Sequence, residues 1–367
     1  MSAVDLPERE AAREPPADTL LIDTDVHETW RSVDDVRPFL EPFWRRQSEL
    51  YRYVPTPPVV PYFTPMAPTR QEWLSPDAAP GESLELMRLQ LFEEEQVSIG
   101  ILDGFFAFSA IPGSVEFVSA LAAAYNDWQI ATWLDPEPRL RGSVHVNVRD
   151  PELAAREIDR IGGHPQIVQV FLPTMTDTQF GDPFYRPIFE AAVRNDLVVA
   201  LHHNGCTQTV LGYPRYYVEW HTTAAPLAAV GQLVSFVFNG TFDRYPDLRV
   251  VLLETGVAWL PWFMWRIDEQ YRGHRTEVPW VKRLPSEHLR DCVRVATQPM
   301  GDVTTKQFLQ LVEMVESERM YVFASDYPHY DADSATAVLP QRLPEQLRRR
   351  IRFQNALETY PKLRGLV

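Results

Sequence analysis

The stretch Leu20-Leu21-Ile22-Asp23-Thr24-Asp25-Val26-His27-Glu28 runs from apolar residues into two metal-ligand types spaced i, i+2. Side chains alternate between the faces of a strand, so Asp25 and His27 point the same way. An Asp and a His aimed together from the end of a buried strand form half of a metal site. Two further apolar runs end in the same kind of residue. Val199-Ala200-Leu201 leads into His202-His203, and Tyr321-Val322-Phe323-Ala324-Ser325 leads into Asp326, with His329 one turn later.

Apolar and β-branched runs recur at 20–27, 97–103, 141–148, 167–173, 197–203, 248–255, 293–298 and 320–326. Continuous apolar runs suit strands buried on both faces, as in a parallel sheet. Helical spacing lies between them, over 114–134, 151–161, 184–195, 224–238, 259–272, 305–316 and 343–359. The second of these opens with Asp150 followed by Pro151, a cap and a first-turn proline. Eight strands alternating with helices predict an α/β fold, a (β/α)8 TIM barrel of the metal-dependent hydrolase type. A doubly wound open sheet is the runner-up, but no glycine-rich phosphate loop follows any of the strands. In a barrel, functional residues gather at the C-terminal strand ends, where Asp25, His27, His202, Glu254 and Asp326 all fall.

Residues 1–19 are charged and contain proline, and are expected to form a flexible arm. The remainder, 20–367, reads as one barrel domain with an insertion after the first strand, about 31–96. Its centre, 55–80, is proline-rich with Tyr62, Phe63 and Trp73 interleaved. Proline cannot donate to a ladder, so irregular structure is expected, and the aromatics predict an ordered cover for the barrel mouth or a partner subunit.

The chain has 367 residues, 45% of them hydrophobic, enough for one large core. A net charge of −15 argues against nucleic-acid and anionic-membrane partners and leaves a small molecule as the expected one. Apolar runs near eight residues long predict no membrane span. The two cysteines, Cys206 and Cys292, give no disulfide framework, and a cytoplasmic location is expected.

Each candidate has a bland reading beside the chemical one. Asp326 after a buried strand is costly unless paired or metal-bound, and is read as ligand or general base rather than helix cap. His202 is read as a ligand. His203 should face the other way. Glu254 is a ligand or proton shuttle, or a cap. His221 in Glu-Trp-His-Thr-Thr is an isolated candidate for substrate contact or catalysis. His329 could hold a ligand in place, bind a second ion, or be merely structural. Arg70 could bind a carboxylate or be merely exposed. His145 and Asn147 are expected to fill the barrel, and Trp259, Trp262 and Trp265 to pack a helix onto it.

These motifs resemble the amidohydrolase-related family that includes aminocarboxymuconate-semialdehyde decarboxylase and the hydroxybenzoate decarboxylases. The resemblance spans roughly 20–360. Its most specific parts are Ile-Asp-Thr-Asp-Val-His-Glu (22–28), Phe-Asp-Arg-Tyr-Pro-Asp-Leu-Arg-Val-Val-Leu-Leu-Glu-Thr-Gly-Val-Ala-Trp-Leu-Pro (242–261) and Ala-Ser-Asp-Tyr-Pro-His (324–329). It implies the barrel and a ligand set of Asp25, His27, His202 and Asp326. Decarboxylases of the family carry a catalytic His after strand six, where Glu254 stands here. The insertion, Tyr-Asn-Asp-Trp (125–128) and Pro-Ser-Glu-His (285–288) are similar to a branch with oxygen-activating, two-metal members.

The expectation is therefore a metal-dependent enzyme that hydrolyses or non-oxidatively decarboxylates a small carboxylated molecule. Zn2+ is the expected ion, with one or two Mn or Fe ions as the alternative. Asp326, Glu254 and His221 are the catalytic candidates; Glu254, His203 and His329 are candidates for the surrounding shell or a second metal. The rivals are a dinuclear oxygenase, or one subunit of it, and a non-catalytic partner subunit. A homo-oligomer, or a hetero-oligomer with a paralogous chain, is expected.

Overall fold

The computed structural model describes residues 20–53, 70–75, 78, 81–104, 107–205, 216–300, 303–329, 334, 339 and 342–366. The expected arm, most of the proline-rich centre of the insertion and Cys206 lie outside these residues.

The eight apolar runs each become a strand: β1 (Ile22–Val26), β2 (Ile99–Leu102), β3 (Leu140–His145), β4 (Ile167–Met175), β5 (Val198–Gly205), β6 (Val250–Leu253), β7 (Val293–Ala296) and β8 (Tyr321–Val322). Every neighbouring pair is parallel, in the order β1 to β8. The ring closes where Thr24 N–H donates to Phe323 O at 3.0 Å, His27 N–H to Tyr327 O at 2.7 Å and Asp326 N–H to Asp25 O at 3.1 Å. This is a (β/α)8 barrel.

The helices, in chain order, are α1 (Val33–Val36), α2 (Pro42–Leu50), α3 (Leu84–Met87), α4 (Val115–Gln129), α5 (Pro151–Ile161), α6 (Arg186–Arg194), α7 (Tyr217–Phe238), α8 (Thr241–Arg244), α9 (Leu260–His274), α10 (Pro285–Cys292), α11 (Thr305–Val315), α12 (Glu345–Arg349) and α13 (Asn355–Thr359). α5 starts where its cap predicts: the Asp150 carboxylate accepts from Glu152 N and Leu153 N. α7 begins seven residues earlier than the expected 224, because the Glu219 carboxylate accepts from the Tyr216 N–H at 2.9 Å and holds the first turn. Its stretch Val218–Phe238 is long and apolar enough to cross a membrane, which run-counting missed. In the fold it connects β5 to β6 and buries Ala229, Leu233 and Phe236.

Two apolar layers result. Ile22, Ile101, Val168, Val198, Ala200, Val251, Leu253, Val322 and Ala324 fill the barrel interior, and Phe353, Ala356, Tyr360 and Leu363 of the C-terminal segment plug its lower end. The complementary strand positions, such as Leu21, Val199, Leu201, Val250 and Leu252, pack outward under the helices. This alternation decides which polar residues at the upper rim face inward.

β1 departs from it. Ile22 points in, yet so do Asp25 and His27, which strict alternation forbids. A register shift between Asp23 and Val26 supplies the missing step. Asp23 holds that bulge: its Oδ1 accepts from Asp25 N at 3.2 Å and Ser325 N at 2.9 Å. The expected tryptophan stripe also separates. α9 buries Leu260, Phe263, Met264 and Ile267, a face that leaves Trp262 and Trp265 out at 55% and 57% exposed, and only Trp259 packs inward.

The Pro285-Ser286-Glu287-His288 motif is structural. Ser286 N and Oγ both donate to the Asp268 carboxylate, at 2.9 and 2.7 Å, and fasten α10 to α9. His288 pairs with Asp243 at 3.1 Å.

Candidate metal centre

Three strand ends meet at the upper rim. β1 delivers Asp25 and His27, β5 delivers His202, and the turn after β8 delivers Asp326, all buried. Nε2 of His27 lies 3.2 Å from Asp25 Oδ1 and 3.0 Å from Asp326 Oδ1, and Nε2 of His202 lies 3.9 Å from Asp25 Oδ1. All four donor atoms fall within 4.8 Å of one another. Donors about 2.1 Å from a shared cation stand about 3–4 Å apart, so the set fits one ion.

The buried chemistry agrees. Among the described residues, both oxygens of Asp25, Nε2 of His202, Oδ2 of Asp326 and Oε2 of Glu254 are buried without a well-aligned hydrogen bond. Such groups are costly unless something charged is shared among them. Burial, then the charge of Glu254, pushes the Asp326 carboxyl well up. Burial likewise raises Asp25, but His27 beside it outweighs that and leaves it low. Burial holds the His202 imidazole below its ordinary value, in the neutral form a ligand requires.

A second layer surrounds Glu254. Its carboxylate faces three imidazoles: His203 Nδ1 at 2.8 Å, His202 Nε2 at 3.1 Å and His221 Nε2 at 3.3 Å. Burial opposes ionisation, but the contacts with His203, His202 and His221 pull its carboxyl well below the usual range. His203 therefore reaches the cluster, against the expectation from alternation. His203 still lies within β5, but β6 has ended at Leu253, and Glu254 turns into the left-handed region at φ 52° to meet it. Asp326 adopts φ 63° in the same way. Each such backbone costs on the order of 1 kcal/mol or more, and strain of this kind collects at functional sites. His329 Nδ1 lies 2.6 Å from Asp326 Oδ1. His202, His203 and Glu254 form a second group of potential ligands, and His27, Glu254, Asp326 and His329 a third; both share residues with the first.

All eight candidates, Asp25, His27, His202, His203, His221, Glu254, Asp326 and His329, thus come together. His145 instead fills space between Tyr125 and Phe171, and burial depresses its imidazole to about 3, so it stays neutral. Asn147 binds Val115 O and the Ser119 hydroxyl. Arg70 donates its backbone N–H to Pro328 O at 2.9 Å and stacks on Trp73, which packs against Tyr327. Its Nε donates to Glu72 Oε2 at 3.3 Å, and its Nη1 is buried without a partner among the described residues.

Sequence reasoning missed the supporting carboxyls. Asp103, just past β2, touches Asp25, and burial followed by that charge raises it far above its ordinary value. Its Oδ1 accepts from Gln169 Nε2 and meets the Ser143 hydroxyl at 3.0 Å, while Tyr360 OH donates to Gln169 Oε1 at 2.9 Å. Glu28 accepts from Gly104 N and Tyr125 OH, each at 2.9 Å, and from Gln129 Nε2 at 2.5 Å. Only the position of Glu28 beside His27 could have flagged it.

The amidohydrolase family model matches residues 22–362. Gamma-resorcylate decarboxylase from Polaromonas sp. (strain JS666 / ATCC BAA-500) is 25% identical over 266 residues, covering 68% of this chain and 78% of that protein. Among solved structures, 5-carboxyvanillate decarboxylase LigW from Sphingomonas paucimobilis aligns with a TM-score of 0.69 at 20% identity, over 94% of this chain and 99% of that one. Dihydroxybenzoic acid decarboxylase from Polaromonas sp. JS666, with bound manganese and the inhibitor 2-nitroresorcinol, aligns with a TM-score of 0.66 at 18% identity, over 94% and 97%. An amidohydrolase from Mycobacterium avium subsp. paratuberculosis K-10 reaches 0.70 at 16% identity, over 93% and 98%. With its barrel closed, its rim cluster assembled and nearly its whole length matched, this chain belongs to the amidohydrolase family of enzymes.

Proposed function

We propose that this enzyme is a divalent-cation-dependent decarboxylase that removes CO2, without oxidation, from a small carboxylated aromatic. The observation that carries this is the buried Asp25–His27–His202–Asp326 cluster, with donor atoms within 4.8 Å of one another. The decarboxylases among the relatives support the reaction class, and the manganese-bound neighbour supports the kind of ion. Two imidazole nitrogens and two carboxylate oxygens suit Zn2+ and Mn2+ alike.

Asp25, His27, His202 and Asp326 would hold the cation, whose chemistry when bound is to draw electron density from substrate oxygens. Arg70, with its buried unpartnered Nη1 beside the β8 turn, would seat a substrate carboxylate. Loss of CO2 breaks the ring–carboxyl bond and leaves its electron pair on the ring carbon, which must take up a proton. Glu254 stands where a decarboxylase would carry histidine. His221, held by Glu254 at 3.3 Å, can deliver that proton, and Asp326 can hold one in transit.

The experiment is CO2 release from 2,6-dihydroxybenzoate and 5-carboxyvanillate, anaerobically, by the chain expressed alone and loaded with Mn2+ or Zn2+. Oxygen-independent CO2 release supports the reading. Oxygen uptake coupled to turnover, with two ions per chain, would overturn it. Activity only with a co-expressed partner would select the hetero-oligomer.

A further inference from the structure

The Glu28 carboxyl has no place in the chemistry above, yet it is fully buried and fully engaged. It accepts from two residues one turn apart on α4, Tyr125 OH at 2.9 Å and Gln129 Nε2 at 2.5 Å, and from the backbone N–H of Gly104 at 2.9 Å. The carbonyl of that same Gly104 lies 2.5 Å from Nδ1 of His27. One glycine therefore holds two adjacent side chains just past the end of β1, through its oxygen to His27 and through its nitrogen to Glu28.

The site is built for this. Gly104 has φ 64°, and an added Cβ would lie 2.7 Å from His145 Cε1 and 2.8 Å from the Tyr125 hydroxyl, so no other residue fits. Gln129 occupies the space that a side chain at residue 142 would need: a Cβ on Gly142 would lie 2.3 Å from its Oε1. The Tyr125 ring is wedged against Trp30, Phe108 and Trp128.

We propose that Tyr125 and Gln129 are positioning residues for His27, acting through Glu28 and the Gly104 peptide. They fix the Gly104 carbonyl as the acceptor for His27 Nδ1–H, so that the lone pair sits on Nε2, the atom facing Asp25 and Asp326. The partner of one imidazole nitrogen sets which nitrogen binds metal, and removing such a partner typically costs about 10–100-fold in affinity. α4 thereby tunes a seat to which it contributes no ligand. This inference rests on His27 being a cation ligand.

The test uses the full chain, stripped with chelator and titrated with Mn2+ alone, with the metal-free melting midpoint recorded for every variant. Tyr125→Phe keeps the wedged ring and deletes one donor; Glu28→Leu deletes the clamp; Glu28→Gln retains an acceptor for Gly104 N–H. The expected result is about tenfold or more weaker Mn2+ binding for Tyr125→Phe and Glu28→Leu, with affinity restored in Glu28→Gln. Lowered midpoints with unchanged Mn2+ affinity would make the network merely structural and overturn the proposal. If Glu28→Leu does not fold, Tyr125→Phe decides alone. Failure of the wild type to bind Mn2+ would sink the metal seat itself, a separate outcome.

Discussion

Oδ1 of Asp326 lies 3.0 Å from Nε2 of His27, across 299 residues of sequence. The contact joins the end of the last strand to the end of the first, so the ring of the barrel and the ring of candidate ligands close at the same place. Folding the barrel therefore assembles the site.

Asp326→Asn should remove cation binding and leave the barrel folded. Asn tolerates the left-handed backbone at this position. It also removes a carboxyl that burial and Glu254 disfavour in charged form, so the metal-free melting midpoint should not fall. Wild type in Mn2+ at about 100 times its Kd should gain about 2.7 kcal/mol, and the variant none. Thermal melts with and without Mn2+ read this directly.

His221→Asn should separate chemistry from binding. Losing a positioned acid or base costs about 10²–10⁴-fold in rate. The expected result is a fall in kcat of that order with Mn2+ affinity unchanged. A matching loss of affinity would place His221 in the cation seat instead.

Glu137 offers a pH test away from the site. Burial raises its carboxyl, but Arg139 at 2.8 Å and Arg88 at 2.7 Å outweigh that and hold it at about 2. A depressed carboxyl adds stability above its unfolded value of 4.5, and that stability is lost as pH falls toward about 2. With screening at the partly exposed arginines, Glu137→Gln should cost about 1–2 kcal/mol at pH 7. Denaturant melts of the two proteins should converge between pH 4.5 and 2.

The aromatic residues of α9 should divide sharply. Trp262→Ser and Trp265→Ser should change stability by no more than about 0.5 kcal/mol. Phe263→Ala, on the buried face, should cost about 3–5 kcal/mol. Urea melts of the three variants measure the difference.

The strands were legible because a barrel strand is buried on both faces and reads as one apolar run, and the candidate ligands because each interrupts such a run at its end. Glu254, His203 and His221 were visible only singly. Their meeting depends on a left-handed turn after β6 and on an early start to α7, and neither leaves a periodic trace. The β1 bulge was equally hidden, since it rests on Asp23 bonding to Ser325 from the far end of the chain. The Asp103–Gln169–Tyr360 and Glu28–Gln129 contacts join residues far apart in sequence, and each alone looks like an ordinary polar substitution in a strand or helix.

The central claim is that β1, β5 and β8 jointly seat one divalent cation. Calorimetric titration of chelator-stripped protein with Mn2+, for wild type and His202→Ala, tests it most directly. One site per chain is expected in the wild type, and its loss in the variant. No binding by the wild type, or binding that His202→Ala leaves unchanged, would contradict it.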